Sequence, residues 1–460
     1  MRIAGRAAAA ILVLEDFERR RVPLKTALAD WARSARYAGA KDRAAISGLC
    51  LDVLRRRRSL SAAMGDDSAR AATLAHLRLD QGMTAEAIAA LAAETPHGPG
   101  ALSAEEVNAL AHLQPLNPAN AGIRNGVVPD PRFRSEEKGA RGRLSVRADF
   151  PEWLESSVQR AFADAAEREM GAFAARADID LRLNTLKTAP EKALAALESV
   201  GAVAAPFLKT AARIAAPASE DRAPVVTVIP AFNKGWVEVQ DLGSQIAAAA
   251  AGDITRAQVL DFCAGGGGKT LALASLMGGK GQLYAYDDDA RRLQPLYERV
   301  RRAGVRNLQI INPSTDKAAL AALEGRMDVV FIDAPCTGSG TWRRHPDAKW
   351  RLTPQQLERR MAEQDGVLHG AARFVKAGGR IVYVTCSFLI EENEDRLAAF
   401  RAAHNAFEET RAQDAIKASG LLLDGAAGAI SACETPSGAL RLTPARTRTD
   451  GFFIATLTRR

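Results

Sequence analysis

Two cysteines in this chain stand where a thiol could do chemistry. Cys336 lies in Asp333-Ala334-Pro335-Cys336-Thr337-Gly338, directly after the apolar run Met327–Ile332. Cys386 lies in Thr385-Cys386-Ser387, directly after Arg380–Val384. If both runs are strands of one parallel sheet, both thiols open onto its carboxyl edge, where α/β proteins bind ligands. A lone cysteine is more often a small core hydrophobe. Two at ligand-edge positions, one beside a carboxylate, suit methylation at C5 of a pyrimidine. Carbon 5 is a weak nucleophile. A thiolate adding to C6 makes an enamine, and C5 then takes a methyl group. A base removes the C5 proton and elimination frees the thiol. Asp333 could accept a hydrogen bond from the exocyclic amine of cytosine. A free thiol is only partly ionised at neutral pH. Glu391-Glu392-Asn393-Glu394 reads as the acidic first turn of a helix whose N-terminus would favour a Cys386 thiolate. Of the other cysteines, Cys50 lies on a helical apolar stripe and is expected in a core. Cys263 lies in a turn and is expected to pack, and Cys433 has no motif around it.

The second cluster is a glycine loop. Val259-Leu260-Asp261-Phe262 runs into Cys263, Ala264, Gly265, Gly266, Gly267, Gly268 and Lys269-Thr270, and then into an expected helix Leu271–Met277. A phosphate loop of the form GxxxxGK[ST] needs glycine where Cys263 stands. A dinucleotide GxGxxG needs glycine where Thr270 stands. An S-adenosylmethionine site needs a glycine turn after one strand and an acid after the next, for the ribose hydroxyls. Asp287 follows Gln282–Tyr286 and fits that spacing. Asp288 and Asp289 come next, and this cluster would repel a phosphate but not a sulfonium.

These residues need a sheet to hold them. Strands are expected at Gln258–Phe262, Gln282–Tyr286, Leu308–Ile311, Met327–Ile332 and Arg380–Val384, with helices between. Such alternation predicts a doubly wound, mostly parallel sheet. Before it, a small α+β unit is expected, with strands at Ile179–Leu183, Val225–Ile229 and Trp236–Val239 and a helix at Pro190–Ser199. Residues 1 to 113 read as helical. Leu24, Leu28 and Trp31 form one stripe, and Ile46, Leu49, Cys50, Val53 and Leu54 another. Thr84 is a candidate N-cap. Residues 114–148 read as a linker, with Gln114-Pro115, Asn125-Gly126 and the mixed charges Arg132 to Arg147.

Composition narrows the class. Of 460 residues, 47% are hydrophobic and 25% charged, so a disordered chain is excluded. No apolar run is long enough to span a membrane. The surplus of 62 Lys+Arg over 54 Asp+Glu favours a polyanionic partner. Five dispersed cysteines without CxxC spacing, and six histidines without HxxxH or HExxH, argue against disulfides and against a metal site. Arg2 and Arg6 ahead of Ala7–Leu14 loosely suggest a signal peptide. Glu15, Asp16 and Glu18 follow at once, so a solvated helix end is expected in a reduced, cytoplasmic protein.

The segments DFCAGGGGKT (261–270), DAPCTGSG (333–340), RRHPDAKW (343–350) and VTCSFLIEENE (384–394) resemble the RsmB/Nop (Nop/Sun) family of RNA cytosine-C5 methyltransferases. LRLNTLK (181–187) and VQDLGSQ (239–245) are similar to family segments, and SGLCLDVLRRRRSL (47–60) resembles the NusB-like part of the RsmB subgroup. The resemblance covers about residues 150 to 460. It implies a Rossmann-like class I methyltransferase domain at 241–460. A small α+β, RRM-like subdomain at 146–240 and an all-α NusB-like RNA-binding domain with linker at 1–145 would precede it. It implies Cys386 as nucleophile, Cys336 as the residue that helps release product, Asp333 at base and cofactor, and Lys269 near the reacting centre. Residues 263–269 and Asp287 would line the S-adenosylmethionine site. The implied substrate is RNA, ribosomal RNA in the first place, and a monomer is expected. The chain departs from the family pattern at Gly265, where proline is usual. It departs again after the third strand, where Ser314 stands near the usual adenine-binding acid and Asp316 is shifted.

Three basic stretches are candidate RNA contacts. They are Arg291, Arg292, Arg299, Arg301, Arg302 and Arg306; Arg55 to Arg58; and Trp342 to Arg351, whose aromatics and cations could clamp a flipped base. The rival to an enzyme is a non-catalytic RNA-binding ribosome-assembly factor with a relict cofactor pocket.

Overall fold

Helical periodicity in the first hundred residues becomes a packed helical array. The computed structural model describes residues 1–114, 142–216 and 224–460. Among them, helices run in order Ile3–Arg20, Leu24–Ser34, Ala40–Arg55, Arg57–Met64, Ala69–Leu79, Ala85–Ala92 and Ala104–His112. Ser68, Thr84 and Ser103 cap three of these helices by accepting from a backbone N–H of the first turn. Ile46, Cys50, Val53 and Leu54 are buried together with Leu24, Val13, Leu14 and Phe17. The run Ala7–Leu14 is thus no solvated helix end. Ala7, Ala9, Ala10, Val13 and Leu14 are fully covered, because alanine at successive turns lets neighbouring helices approach closely. Most of the expected linker, with its turn signals and most of its charges, lies outside the described residues. Its described end forms a short helix, Leu144–Arg147.

The chain packs as two compact units. One holds Met1–Arg176 together with Thr341–Thr353. The other holds Ala177–Ala216, Ala223–Gly340 and Pro354–Arg460. The second unit contains two sheets. The smaller has strands β1 (Ile179–Leu183), β2 (Val203–Ala204), β3 (Ala211–Ile214) and β4 (Val237–Val239), in the order β2-β3-β1-β4. All its pairings are antiparallel. The expected strand Val225–Ile229 is instead a single 3₁₀ turn at Val226–Val228. Pro230, which lacks an N–H, opens the next helix and ends any ladder there. Strands β2 and β3 were not expected, because their alanine content hid them.

The larger sheet has strands β5 (Gln258–Asp261), β6 (Gln282–Tyr286), β7 (Leu308–Ile311), β8 (Met327–Asp333), β9 (Val375–Thr385), β10 (Phe407–Thr410), β11 (Leu440–Leu442) and β12 (Phe452–Arg459). The order is β10-β12-β9-β8-β5-β6-β7, with β11 beside β12. Strands β5 to β9 pair in parallel, and β12 runs antiparallel to β9. The strand order reverses at β5, which lies between β6 and β8. In open α/β sheets, that switch point is where the carboxyl edge opens into a ligand crevice. The central strands are nearly continuous in apolar residues because helices cover both faces. Among the described residues, no helix is long and apolar enough to cross a membrane.

Candidate active site

Strand register brings the two cysteines together. Asp333 on β8 pairs with Val384 on β9, so the chain segments leaving these strands run side by side. Ala334 N donates to Val384 O at 2.8 Å and Gly340 N donates to Cys386 O at 2.9 Å. Ser339 and Ser387 hydroxyls meet at 2.9 Å. Within this clasp the Cys336 and Cys386 sulfurs are 3.4 Å apart, both half-buried. The Cys386 turn is held from below. Thr385 Oγ1 donates to Asn393 Oδ1 at 2.6 Å, Asn393 Nδ2 donates to Ser387 O at 3.0 Å, and Tyr383 Oη donates to Glu392 O at 2.7 Å.

The glycine loop closes the other side. Gly265 and Gly267 have φ of 48° and 83°, the left-handed region that glycine enters without strain. At Gly267 a Cβ would stand 2.1 Å from Leu296 Cδ1, so the helix Ala290–Ala303 also requires its absence. Asp287 ties the loop to β6, accepting from Gly265 N at 3.0 Å and from Asp289 N at 3.0 Å. Arg299 supports the loop from behind, donating to Gly266 O at 2.6 Å while Glu238 holds the same guanidinium. Lys269 leaves the loop on the first turn of the helix Gly268–Met277 and donates to Asp333 Oδ2 at 2.7 Å. Burial opposes the Lys269 charge. Asp333 and the nearby Cys386 nonetheless hold its ammonium above the usual lysine value.

Burial and neighbouring charges act on several of the thiols. Cys336 is held far above the usual cysteine range, first by its hydrogen bond to Cys386, then by burial and the Glu392 carboxylate. Burial, then Asp261, Asp287 and Asp333, push Cys263 well up, so it stays a thiol and packs against the core. Cys50 is fully buried and pushed up by burial. Cys433 is buried in the core of the larger sheet.

Two features went unread in the sequence. Asp261, at the end of β5, is fully buried. Its Oδ2 accepts from Thr270 Oγ1 at 2.6 Å, while Oδ1 meets no donor among the described residues. Burial lifts its carboxyl to about 7. An orphaned buried carboxylate oxygen beneath a glycine loop fits a ligand that brings a cation. The sequence signal was its place, the last residue of the strand that feeds the loop. The second feature is a cavity of about 260 Å³ past β7, lined by Tyr286, Ile311, Asn312, Pro313 and Asp316. Asp316 there is turned to its own loop, accepting from Asn312 N and Thr315 Oγ1.

The expected RNA contacts fare unevenly. Trp342, Arg343 and Lys349 are buried, so they do not form an open clamp for a base. Lys349 Nζ donates to Arg55 O at 3.1 Å, Trp350 Nε1 donates to Leu54 O at 2.6 Å, and Arg55 donates to Arg343 O at 2.6 Å. The run Arg55 to Arg58 is used internally, with Arg56 on Asp80, Arg57 on Glu18 and Arg58 on Glu152. Arg299 and Arg302 both face Glu238. Arg301 and Arg306 remain exposed on the helix Ala290–Ala303 and its exit.

Comparison with known proteins places this arrangement. Residues 252–458 match the family model described as 16S rRNA methyltransferase RsmB/F. A probable ribosomal RNA small subunit methyltransferase B from Synechocystis sp. is 31% identical over 323 residues, 68% of this chain and 68% of that protein. The ribosomal RNA small subunit methyltransferase B of Escherichia fergusonii is 29% identical over 373 residues, 78% of this chain and 82% of that protein. The crystal structure of a methyltransferase homolog protein from Pyrococcus horikoshii superposes with a TM-score of 0.54 at 24% identity, covering 69% of this chain and 98% of that one. The fold is that of a methyltransferase with a crevice at the carboxyl edge of its sheet. The chain belongs to the RsmB/F family of ribosomal RNA methyltransferases.

Proposed function

We propose that the protein transfers a methyl group from S-adenosylmethionine to C5 of a cytosine in 16S ribosomal RNA, through a covalent bond between Cys386 and C6 of the base. The observation that carries this reading is the pair of sulfurs 3.4 Å apart beside the Lys269–Asp333 ion pair. S-adenosylmethionine supplies an electrophilic methyl on a sulfonium. The residues present fit it: Asp261 has an unused oxygen that would take its ammonium, residues 263–269 would form the close-approach loop, and Asp287 would take the ribose hydroxyls. The cavity past β7 is the candidate place for adenine, walled by Ile311, Asn312 and Pro313.

Cys386, as thiolate, forms the bond to C6, and the electron pair moves to C5. Asp333 accepts from the base's exocyclic amine, and Lys269 holds the Asp333 carboxylate in place by donating to its Oδ2. After C5 has taken the methyl group, the C5 proton leaves to a base, the bond to Cys386 breaks, and Cys336 helps free the product. The target base must be unpaired or flipped out, since C6 is shielded within a duplex. Residues 1–145 are proposed as an RNA-binding domain, 146–240 as a small RRM-like subdomain and 241–460 as the catalytic domain. Bisulfite sequencing of small-subunit rRNA, from cells with and without the gene, tests the reading. One cytosine that loses its mark is expected; an unchanged rRNA would overturn it.

A further inference from the structure

The two thiols are chemically alike and close together, yet the proposed reaction needs Cys386, and not Cys336, to attack the base. The surroundings differ on the two sides. On the Cys336 side stands Glu392, fully buried in the 3₁₀ turn Ile390–Glu392. Its carboxylate accepts from Thr337 N at 2.8 Å, Thr337 Oγ1 at 2.6 Å and Gln364 Nε2 at 3.0 Å. Gln364 also donates to Pro335 O at 2.8 Å. Both chain neighbours of Cys336 are thereby clamped, Pro335 by Gln364 and Thr337 by Glu392. Burial raises the Glu392 carboxyl above the usual glutamate value, while these donors and the Ser387 hydroxyl oppose that shift and favour the ionised form. The positive charge in the crevice is the Lys269 ammonium, which donates to Asp333 Oδ2 at 2.7 Å.

We propose that Glu392 is a positioning residue that sets the two thiols apart: it fixes the Cys336 loop and places a buried carboxylate beside Cys336, which keeps Cys336 a thiol and leaves the attack to Cys386. A negative charge in a buried setting disfavours a second one nearby. The carboxylate's influence on Cys336 agrees with this geometry. The other titratable and charged groups around Cys336 are Cys386, Tyr383 beneath it, the Lys269–Asp333 pair across the crevice, and the Arg396–Asp365 pair behind Tyr383. All remain when Glu392 is changed. The proposal rests on the reaction assigned above for its purpose, but its physical content does not need RNA or cofactor.

The test is alkylation of the full-length protein by iodoacetamide from pH 6 to 10, with Cys336 and Cys386 followed separately by peptide mass spectrometry. In the native protein Cys386 is expected to react first at every pH below 9. In Glu392→Gln, which keeps the shape and an acceptor oxygen, the Cys336 profile moves to lower pH. Its rate relative to Cys386 at pH 8 rises several-fold, as expected when a neighbouring negative charge is removed. An unchanged ratio in a folded Glu392→Gln protein overturns the proposal. If that variant does not fold, the native protein decides: Cys336 reacting before Cys386 below pH 9 overturns it. Failure of the rRNA methylation reading would show separately, in bisulfite sequencing, with the alkylation order intact.

Discussion

Asp261 shows how one side chain can link stability to ligand binding. Its carboxyl is raised by burial to about 7, from the ordinary aspartate value of 3.8. The folded state therefore binds a proton there between about pH 4 and 7 that the unfolded chain has released. The stabilisation belongs to the neutral acid. It is complete below about pH 4 and is lost as pH rises through 7, a difference on the order of 4 kcal/mol. Asp261→Asn is expected to flatten this part of the melting-temperature profile and to melt no lower than the native protein at pH 8. It should also weaken S-adenosylmethionine binding at least tenfold, about the loss of one charged hydrogen bond. Thermal melts from pH 4 to 8 and calorimetric titration check both. Equal slopes in the two proteins would contradict the assignment. The thiols were legible in the sequence because each follows a strand in a short motif. Asp261 was not, because a carboxylate ending a buried strand looks like any strand terminus until its unpaired oxygen is seen. The role of Glu392 was hidden for a related reason: in Glu391-Glu392-Asn393-Glu394 the acids read as a helix start. Only packing shows that one of them turns inward onto Thr337.

At the scale of elements, the glycine loop carries the clearest prediction. Gly267→Ala and Gly278→Ala share one cost, a side chain on left-handed backbone, about 1–2 kcal/mol. Their φ values are 83° and 60°. They differ in surroundings, since Gly278 has open space around its Cβ direction and Gly267 has Leu296. Gly278→Ala should lose only the shared cost. Gly267→Ala should lose about 1–3 kcal/mol more from overpacking and bind S-adenosylmethionine poorly. Urea denaturation of the two variants compares them, and equal losses would mean that the helix Ala290–Ala303 yields freely. The five parallel strands were readable because each is an apolar run followed by a turn and a helix. The antiparallel strands β10, β11 and β12 were missed. They come after the alternation ends, and β10, Phe407–Thr410, carries two glutamates on an edge. The pattern at Val225–Ile229 misled in the opposite sense. Its β-branched residues favour a strand, but Pro230 ends the segment before it can pair.

For the whole molecule, the segment after the Cys336 loop matters most. Thr341–Thr353 packs with the helical unit, where Arg55 donates to Arg343 O and the carbonyls of Arg55 and Leu54 accept from Lys349 and Trp350. Sequence reasoning placed its cations and tryptophans at a base because they are typical nucleic-acid contacts. Burial shows that they serve packing instead. Arg55→Ala removes the donor to Arg343 O. It should raise amide hydrogen exchange within 341–353 by about tenfold, the effect of one hydrogen bond from a charged group, while helix Ala69–Leu79 keeps its protection. Unchanged exchange in 341–353 would show that the segment is held by other contacts. The basic surplus, +8 in formal charge, was read correctly as a bulk property. It did not indicate which arginines are free, because many of them are committed to carboxylates or carbonyls of the same chain. The central claim is that Cys386 bonds to the base and Cys336 releases it, and one gel tests it most directly. Native protein, Cys336→Ala and Cys386→Ala are each incubated with unmodified small-subunit rRNA and S-adenosylmethionine and run under denaturing conditions. The account predicts a protein–RNA band that persists in Cys336→Ala alone, with methyl transfer lost in Cys386→Ala. A band in Cys386→Ala, or normal turnover by that variant, would contradict it.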